Sequence, residues 1–391
     1  MTALLSFFVL LFAGLIFSDL FKRLHLPYVT ALIVAGVIIG PVLNIVSVDP
    51  TISFLGGIGL VFLMFIAGSE IKTGSFKRLE KEIFVLALLN GVIPFATGFG
   101  IAWFLTQSVI TSYILGIAFI SSSVAIIIPS LEARGLLNRR IGETIVSATV
   151  FEDMISLLLF AIVLQNFTPK TALPLIIYIP LIILIPFLLK LLIPRIEQLY
   201  HYNKRGRDLF ESQLRFVFAI LIATVVLFES LGMHAIVAGF VIGIILSDSI
   251  RGKVEEKIRT ISYGFFIPIF FLIIGMGLDL GLLLSSQVLI SSALIVTGLI
   301  ASKVISGFIG GKYLLKFSVK ESLLIGFATT PQLSTTLAVA FVALESGLLS
   351  ADIITALILL STITAFIAPL AIRSIPLDKE PKATVLNTKN K

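Results

Sequence analysis

Apolar residues run through this chain in long blocks, separated by short polar and charged stretches. A membrane-crossing helix needs about 20 consecutive, mostly apolar residues. The pattern predicts thirteen such spans, at about 3–21, 28–45, 53–71, 83–106, 111–132, 141–166, 172–193, 211–229, 232–247, 261–278, 287–311, 321–344 and 352–372. An odd number puts the termini on opposite sides. The loops after spans one, three, five, seven, nine and eleven, with the tail, hold nearly all the basic residues. Examples are Lys22, Arg23, Lys72, Lys77, Arg78, Arg134, Arg139, Arg140, Lys204, Arg205, Arg207, Arg251, Lys257 and Lys312. The opposite loops offer Lys170. By the positive-inside rule the tail is expected in the cytoplasm and the N-terminus outside, in a multi-pass protein of the cell (plasma or inner) membrane.

Two parts of the pattern repeat. Ala31 to Gly40 in the second span reads like His234 to Gly243 in the ninth, and the spans that follow end alike, with Gly68-Ser69-Glu70 against Gly277-Leu278-Asp279. The charge count runs the second span outwards and the ninth inwards, so the halves are expected to be inverted repeats. An offset of seven spans then pairs the fifth with the twelfth. Both carry polar interruptions near mid-membrane: Ser121, Ser122 and Ser123 before Pro129, and Thr329, Thr330, Pro331 and Gln332 before Ser334. Proline removes a backbone donor, and irregular backbone at that depth is tolerated where it lines a cavity. Two matched breaks point to a transport site between the halves.

Composition narrows the class. The chain is 58% hydrophobic and 13% charged, whereas a soluble domain averages about 25% charged. The absence of cysteine excludes disulfides, thiolate metal sites and cysteine nucleophiles. The formal charge of +7 belongs to the cytoplasmic membrane surface, and nucleic acid is not expected as a partner. No zinc-binding histidine cluster, nucleophile elbow or phosphate-cradling loop appears, so neither an enzyme nor a cofactor is expected. Residues 2–20 have no preceding basic region and no small-residue cleavage site, and read as a first span.

The chemistry concentrates in the sixth span. Glu152 and Asp153 stand side by side near its midpoint, and ionisable groups at that depth mark ion or proton paths. Neighbours on a helix differ by about 100°, so the carboxylates face different partners, Asp153 on the side of Thr149 and Ser156. Lys303 lies near the centre of the eleventh span, and Glu152 and Asp153 are the carboxylates at matching depth. A carboxylate there is neutralised by a proton or by a hard cation with oxygen ligands, and loading by one excludes the other. Hydroxyls and carbonyls from 121–123 and 329–336 would complete the shell. His25, His201 and His234 lie away from the midplane, and Glu70 and Asp279 suit a cap or gate.

These landmarks in order resemble the second branch of the monovalent cation:proton antiporter superfamily, which holds the NapA-like and Kef-like proteins. They are Leu26-Pro27, Val34 to Pro41, Gly57 to Phe62, Phe65 to Glu70, Ser121 to Ser123, the carboxylate pair, Phe265 to Phe271, Gly275 to Asp279, and Lys303. The resemblance covers about Leu26 to Arg373. It implies a homodimer whose subunit has an NhaA/NapA-like fold with two crossed broken helices, the fifth and twelfth spans. Residues 1–71 and 211–280 would form a dimerisation scaffold. Residues 83–167 and 287–373 would form an ion-carrying core, with 172–193 as connector and 374–391 as cytoplasmic tail. The core would move as an elevator, exchanging sodium, or else potassium or lithium, for protons in the service of pH homeostasis. Asp153 matches the family's ion-binding carboxylate. Glu152 departs from the aspartate, glutamine or asparagine that relatives carry, so its pairing with Lys303 or its own titration, and the stoichiometry, stay open. Gln332 stands where many relatives have arginine. A Kef-like potassium efflux system or channel-like potassium pathway is the alternative, and the lack of a nucleotide-binding tail counts against it.

Overall fold

The computed structural model describes residues 3–23, 28–70, 81–137, 139–169, 173–199, 211–247, 250, 253–278, 281 and 285–376. His25, Lys170, His201, Asp279 and several loop bases, among them Lys72, Lys77, Arg78, Lys204, Arg205, Arg207 and Arg251, lie outside them. All regular structure among the described residues is helical. The helices are α1 (Ala3–Arg23), α2 (Tyr28–Val37), α3 (Pro50–Ser69), α4 (Lys81–Thr106), α5 (Val109–Ile120), α6 (Val124–Glu132), α7 (Arg140–Phe167) and α8 (Leu175–Leu199). They continue as α9 (Ser212–Ser230), α10 (Ala235–Leu246), α11 (Lys253–Ile261), α12 (Ile267–Met276), α13 (Ser286–Ile309), α14 (Val319–Ala328), α15 (Ser334–Glu345) and α16 (Ala351–Ser374). Among the described residues, ten stretches are long and apolar enough to cross a membrane. Three shorter apolar helices, Tyr28–Val42, Ala235–Leu246 and Ser334–Glu345, fall within the expected second, ninth and twelfth spans. The chain is an all-α polytopic membrane protein.

Helix ends follow local chemistry. Asp49 accepts from the Ile52 amide at 2.8 Å with Pro50 opening α3, the arrangement that suits an unsatisfied first turn. Ser318 and Glu321 form a reciprocal capping box on α14. Beyond α2 the backbone widens into a π turn, Ile38–Val42, around Pro41. The Leu43 amide there reaches five residues back to the Ile38 carbonyl at 2.9 Å.

Four helices pack backbone against backbone. A β-carbon at Gly36 of α2 would stand 2.1 Å from the Leu272 carbonyl oxygen of α12, and one at Gly243 of α10 would stand 2.2 Å from that of Phe65 in α3. Small residues on such faces let membrane helices approach closely where no hydrophobic effect drives them together. Gly36 and Gly40 meet Leu272 and Met276, while Gly239 and Gly243 meet Val61 and Phe65. This corrects the expected repeat register for α3 against α12. The contacts pair Val61 with Leu272, two residues away from the register that matches Gly68 with Gly277 and Glu70 with Asp279. The terminal glycines misled the match because packing, not the helix end, sets which positions are equivalent.

Two membrane stretches are broken midway. α5 stops at Ile120, Ser121 to Ser123 are extended, and α6 resumes at Val124. Pro129 lies inside α6 and does not end it. α14 stops at Ala328, the chain unwinds through 329–333, and α15 begins at Ser334. The unwound segments lie against each other, with the Ser123 amide donating to the Pro331 carbonyl at 2.6 Å.

Candidate functional site

α7 runs 28 residues without interruption, so it carries Glu152 and Asp153 to the centre of the molecule. Both are buried, at 0% and 3% exposure. An unpaired charge buried this deeply costs several kcal/mol even after relaxation, so the surroundings of each carboxylate decide what it does.

Glu152 points to α4 and α13. Its Oε2 lies 2.7 Å from the Lys303 ammonium, itself fully buried. Its Oε1 accepts from the Asn90 amide Nδ2 at 2.7 Å. The Ser122 hydroxyl stands 2.8 Å from Oε2. Lys303 also donates to the Ile120 carbonyl at 2.7 Å and to the Ser122 hydroxyl at 3.0 Å. The sequence left open whether Glu152 pairs with Lys303, and in this geometry it does.

Asp153 turns instead to the break between α5 and α6. The Ser122 backbone amide donates to its Oδ1 at 3.3 Å, a long bond. The Thr335 hydroxyl approaches it without meeting hydrogen-bond geometry. The hydroxyls of Ser123, Thr149 and Thr335 are buried and, among the described residues, find no hydrogen-bond partner. Ser123 follows Ser122, and Thr149 lies one turn before Asp153 on α7. The region around Asp153 is therefore rich in oxygen and poor in commitments.

The other expected shell residues divide. Ser122 is central, since its single proton faces both Glu152 and the Thr329 carbonyl, the latter at 2.7 Å. Ser121 and Gln332 tie the two breaks together: Gln332 Nε2 donates to the Ser121 carbonyl at 2.5 Å, and the Ser121 hydroxyl donates to Gln332 Oε1 at 2.9 Å. Thr336 also donates to that Oε1. The neutral amide thus serves as a crosslink, with a donor and an acceptor at once. Ser156, Thr329 and Thr330 are engaged elsewhere. Ser156 donates to the Ile117 carbonyl at 3.0 Å, and the two threonines donate to carbonyls of the preceding α14 turn, at 3.1 Å and 2.8 Å. Their hydroxyls are not turned to Asp153.

Asn90 and Ser306 were missed. Ser306 donates to Asn90 Oδ1 at 2.5 Å, which fixes the amide with its nitrogen towards Glu152. The available signal was an amide alone in the apolar run from Ile83 to Gly91, where an uncompensated polar group is costly.

A cavity of about 300 Å³ lies between α2, α3 and α12 on one side and α6 and α15 on the other. Tyr28, Leu63, Glu70, Tyr263 and Phe271 line it with Ala125, Ile126, Leu333 and Ser334, the last four flanking the two breaks. Arg259 lies 3.3 Å from Glu70 Oε1. Burial pushes the Glu70 carboxyl above its ordinary range, against the opposing pull of Arg259. His234 caps α10, its Nδ1 accepting from the Ile236 amide at 3.4 Å.

Residues 7–376 match the family described as "Sodium/hydrogen exchanger, transmembrane". The chain is 31% identical over 385 residues to a probable Na(+)/H(+) antiporter 3 of Methanocaldococcus jannaschii, covering 94% of this chain and 95% of that one. It is 26% identical to the Na(+)/H(+)-K(+) antiporter GerN of Bacillus cereus, over 90% of each chain. In fold it is similar to the sodium proton antiporter MjNhaP1 of Methanocaldococcus jannaschii, with a TM-score of 0.71 at 18% identity, covering 98% of this chain and 100% of that structure.

Proposed function

Because this chain belongs to the sodium/hydrogen exchanger family, we propose that Asp153 is the group through which it exchanges its ions. The protein is a secondary transporter, a sodium/proton antiporter, and not an enzyme. Asp153 takes a sodium ion and a proton in turn. Glu152 serves as counter-ion to Lys303 and keeps that cation from neutralising Asp153. The observation that carries this reading is the contrast between the two carboxylates: Glu152 has three side-chain partners, while Asp153 is reached by a long backbone bond. The hydroxyls of Ser123, Thr149 and Thr335, with the Ser122 segment, supply oxygen ligands suited to a hard cation. Ser121, Gln332, Thr329, Thr330 and Ser156 hold the frame rather than the ion.

The transport cycle follows from how the helices group. The ten long and three shorter apolar stretches among the described residues support thirteen crossings. The spans built from residues 1–71 and 211–280 are a scaffold that dimerises, those from 83–167 and 287–373 are the moving core, and 172–193 joins them. The matched glycine contacts of α2 on α12 and of α10 on α3 support an inverted repeat. The Ser123 to Pro331 contact supports two crossed broken helices. The cavity between scaffold and core supports a water-filled approach to Asp153 and a sliding, elevator-like motion. The N-terminus lies outside and the tail in the cytoplasm, as the basic loops predict.

The test is proton flux in proteoliposomes. A pH gradient is challenged with sodium, potassium, lithium and choline. Wild type is expected to dissipate it with sodium and not with choline, and Asp153→Asn to fall to background while keeping its thermal stability in detergent. An Asp153→Asn variant that still couples cation to proton would remove Asp153 from the role. Passive potassium flux without proton movement would instead favour the channel-like alternative.

A further inference from the structure

We propose that the cavity between α2, α3 and α12 and the two broken helices is a binding site for an organic cation with an ammonium head and an aromatic, apolar body, and that this occupant blocks exchange. The site stands on its own geometry, while the blocking rests on Asp153 being the exchanging carboxylate. The cavity holds about 300 Å³, at the lower end of small-molecule sites, which run from about 300 to 1,000 Å³. Its walls are more apolar than a bare ion requires. Leu63, Phe271, Ala125, Ile126 and Leu333 meet there, and such surface favours an apolar occupant over water.

The polar groups of the wall gather together. Glu70 closes α3, Tyr28 opens α2, and Tyr263 sits in the π turn Ser262–Phe266 ahead of α12. Tyr28 donates to the Tyr263 carbonyl at 2.9 Å, and Tyr263 lies within electrostatic reach of Glu70. The charges here leave a negative excess. Arg259 is shared between Glu70 Oε1 and Glu255 Oε1, at 3.3 Å each, so two carboxylates draw on one guanidinium. Lys257 is turned to Glu211 instead. Glu70 Oε2 has no hydrogen-bond partner among the described residues. A carboxylate beside two phenol rings recognises an ammonium by charge and by the negative faces of the rings. Burial disfavours the Glu70 charge and Arg259 offsets this in part, so a bound cation completes the compensation.

Another part of the wall belongs to the breaks. Ala125 and Ile126 follow Ser123, and Leu333 and Ser334 precede Thr335. A body lying along these four residues stands in the approach to Asp153. It goes no further, because the Ser123 amide and the Pro331 carbonyl close the crossing at 2.6 Å. The occupant is therefore a plug and not a second cargo.

The probe is benzyltrimethylammonium, whose fixed charge cannot itself carry protons across a bilayer. Its binding to the detergent-solubilised full chain is measured by calorimetry at mildly alkaline pH, with benzyl alcohol as the uncharged control. The probe is expected to fill one saturable site per chain, and the alcohol none over the same range. Glu70→Gln is expected to weaken binding about tenfold, as loss of a charge contact does. Tyr263→Leu, which keeps an apolar side chain and removes the ring, is expected to weaken it about threefold. No saturable binding, equal binding of the alcohol, or undiminished affinity in Glu70→Gln would overturn the site. If Glu70→Gln does not fold, Tyr263→Leu and the alcohol control decide.

Blocking is read separately, as sodium-driven proton flux in proteoliposomes with the probe on both faces. The flux is expected to fall as the site fills. Flux unchanged at saturating probe would overturn the blocking and leave antiport intact. Absence of cation-driven proton flux without the probe would overturn the antiport reading and the blocking with it, and the calorimetry would still decide the site.

Discussion

The glycine-packed quartet of α2, α3, α10 and α12 and the crossing of the two broken helices solve the same problem in opposite ways. Both bring irregular or closely packed backbone together inside a membrane. In the quartet, carbonyl oxygens sit where a β-carbon would be, 2.1 Å from the ideal position at Gly36, Gly68 and Gly275. The Leu272, Phe240 and Ile33 carbonyls there are backbone and cannot rotate to take up slack. At the crossing, one backbone bond, from the Ser123 amide to the Pro331 carbonyl, is joined by contacts from Ser121, Ser122, Gln332 and Thr336, whose hydroxyls and amide have alternative partners within reach. The difference teaches where movement is affordable: a contact made by a backbone carbonyl cannot give, whereas hydroxyls and an amide can exchange bonds.

The sharpest way to test that contrast is to remove the cation beside the first break, since Lys303 donates to the Ile120 carbonyl and to the Ser122 hydroxyl there. Lys303→Met leaves Glu152 buried without its cation, and breaking a buried pair from one side costs about 3–5 kcal/mol. The expected result is a large fall in thermal stability, seen in detergent melts. Glu152→Gln combined with Lys303→Met removes both charges and is expected to recover most of that loss, since Asn90 and Ser122 still find an amide to bond. A double variant no more stable than the single one would mean that the pair does not act as a unit.

A smaller effect is expected in the quartet. Gly36→Ala forces a methyl group against the Leu272 carbonyl, which is backbone and cannot swing aside. Overpacking of this kind costs about 1–3 kcal/mol. The melting temperature should drop while the pH profile of exchange in the surviving protein stays as in wild type. A displaced pH profile would break the comparison, because it would show the scaffold tuning the site directly.

The sequence carried much of this division and lost the rest at a particular scale. Glu152, Asp153 and Lys303 were legible because charge in mid-span is rare and expensive. The breaks at 121–123 and 329–333 were legible because serines, threonines and Pro331 interrupt otherwise apolar runs. The likeness between Ala31–Gly40 and His234–Gly243 exposed the glycine faces, yet the register between α3 and α12 came out two residues off. Which hydroxyls are committed was not legible. Ser156 and Thr329 bond to carbonyls near them, while Thr335 does not, and spacing alone is silent on that, because a hydroxyl's partner depends on rotamer and on the neighbouring helix. Asn90 was legible in principle. One amide in an apolar helix asks for a partner, and the acidic pair already asked for a donor.

The smallest effect is expected where the quartet meets the cavity, at Glu70. Its carboxyl is pushed above the ordinary range by burial, with Arg259 pulling the other way. A carboxyl raised by folding contributes stability that is present below its unfolded value, near 4.3, and is lost as pH climbs through the folded value. Glu70→Gln cannot lose what it never titrates. The variant should therefore gain on wild type as pH rises, with a gap that widens as pH climbs above about 4 in detergent melts. Arg259 is about one-third exposed, at 36%, so the pair is partly screened and the whole effect should stay within about 0–1 kcal/mol. A gap that narrows with rising pH would mean that Arg259 outweighs burial at this position. Glu70 would then belong with Glu152, as a carboxylate held charged by its partner. A widening gap keeps it apart, as a carboxyl that the cavity wall prefers neutral.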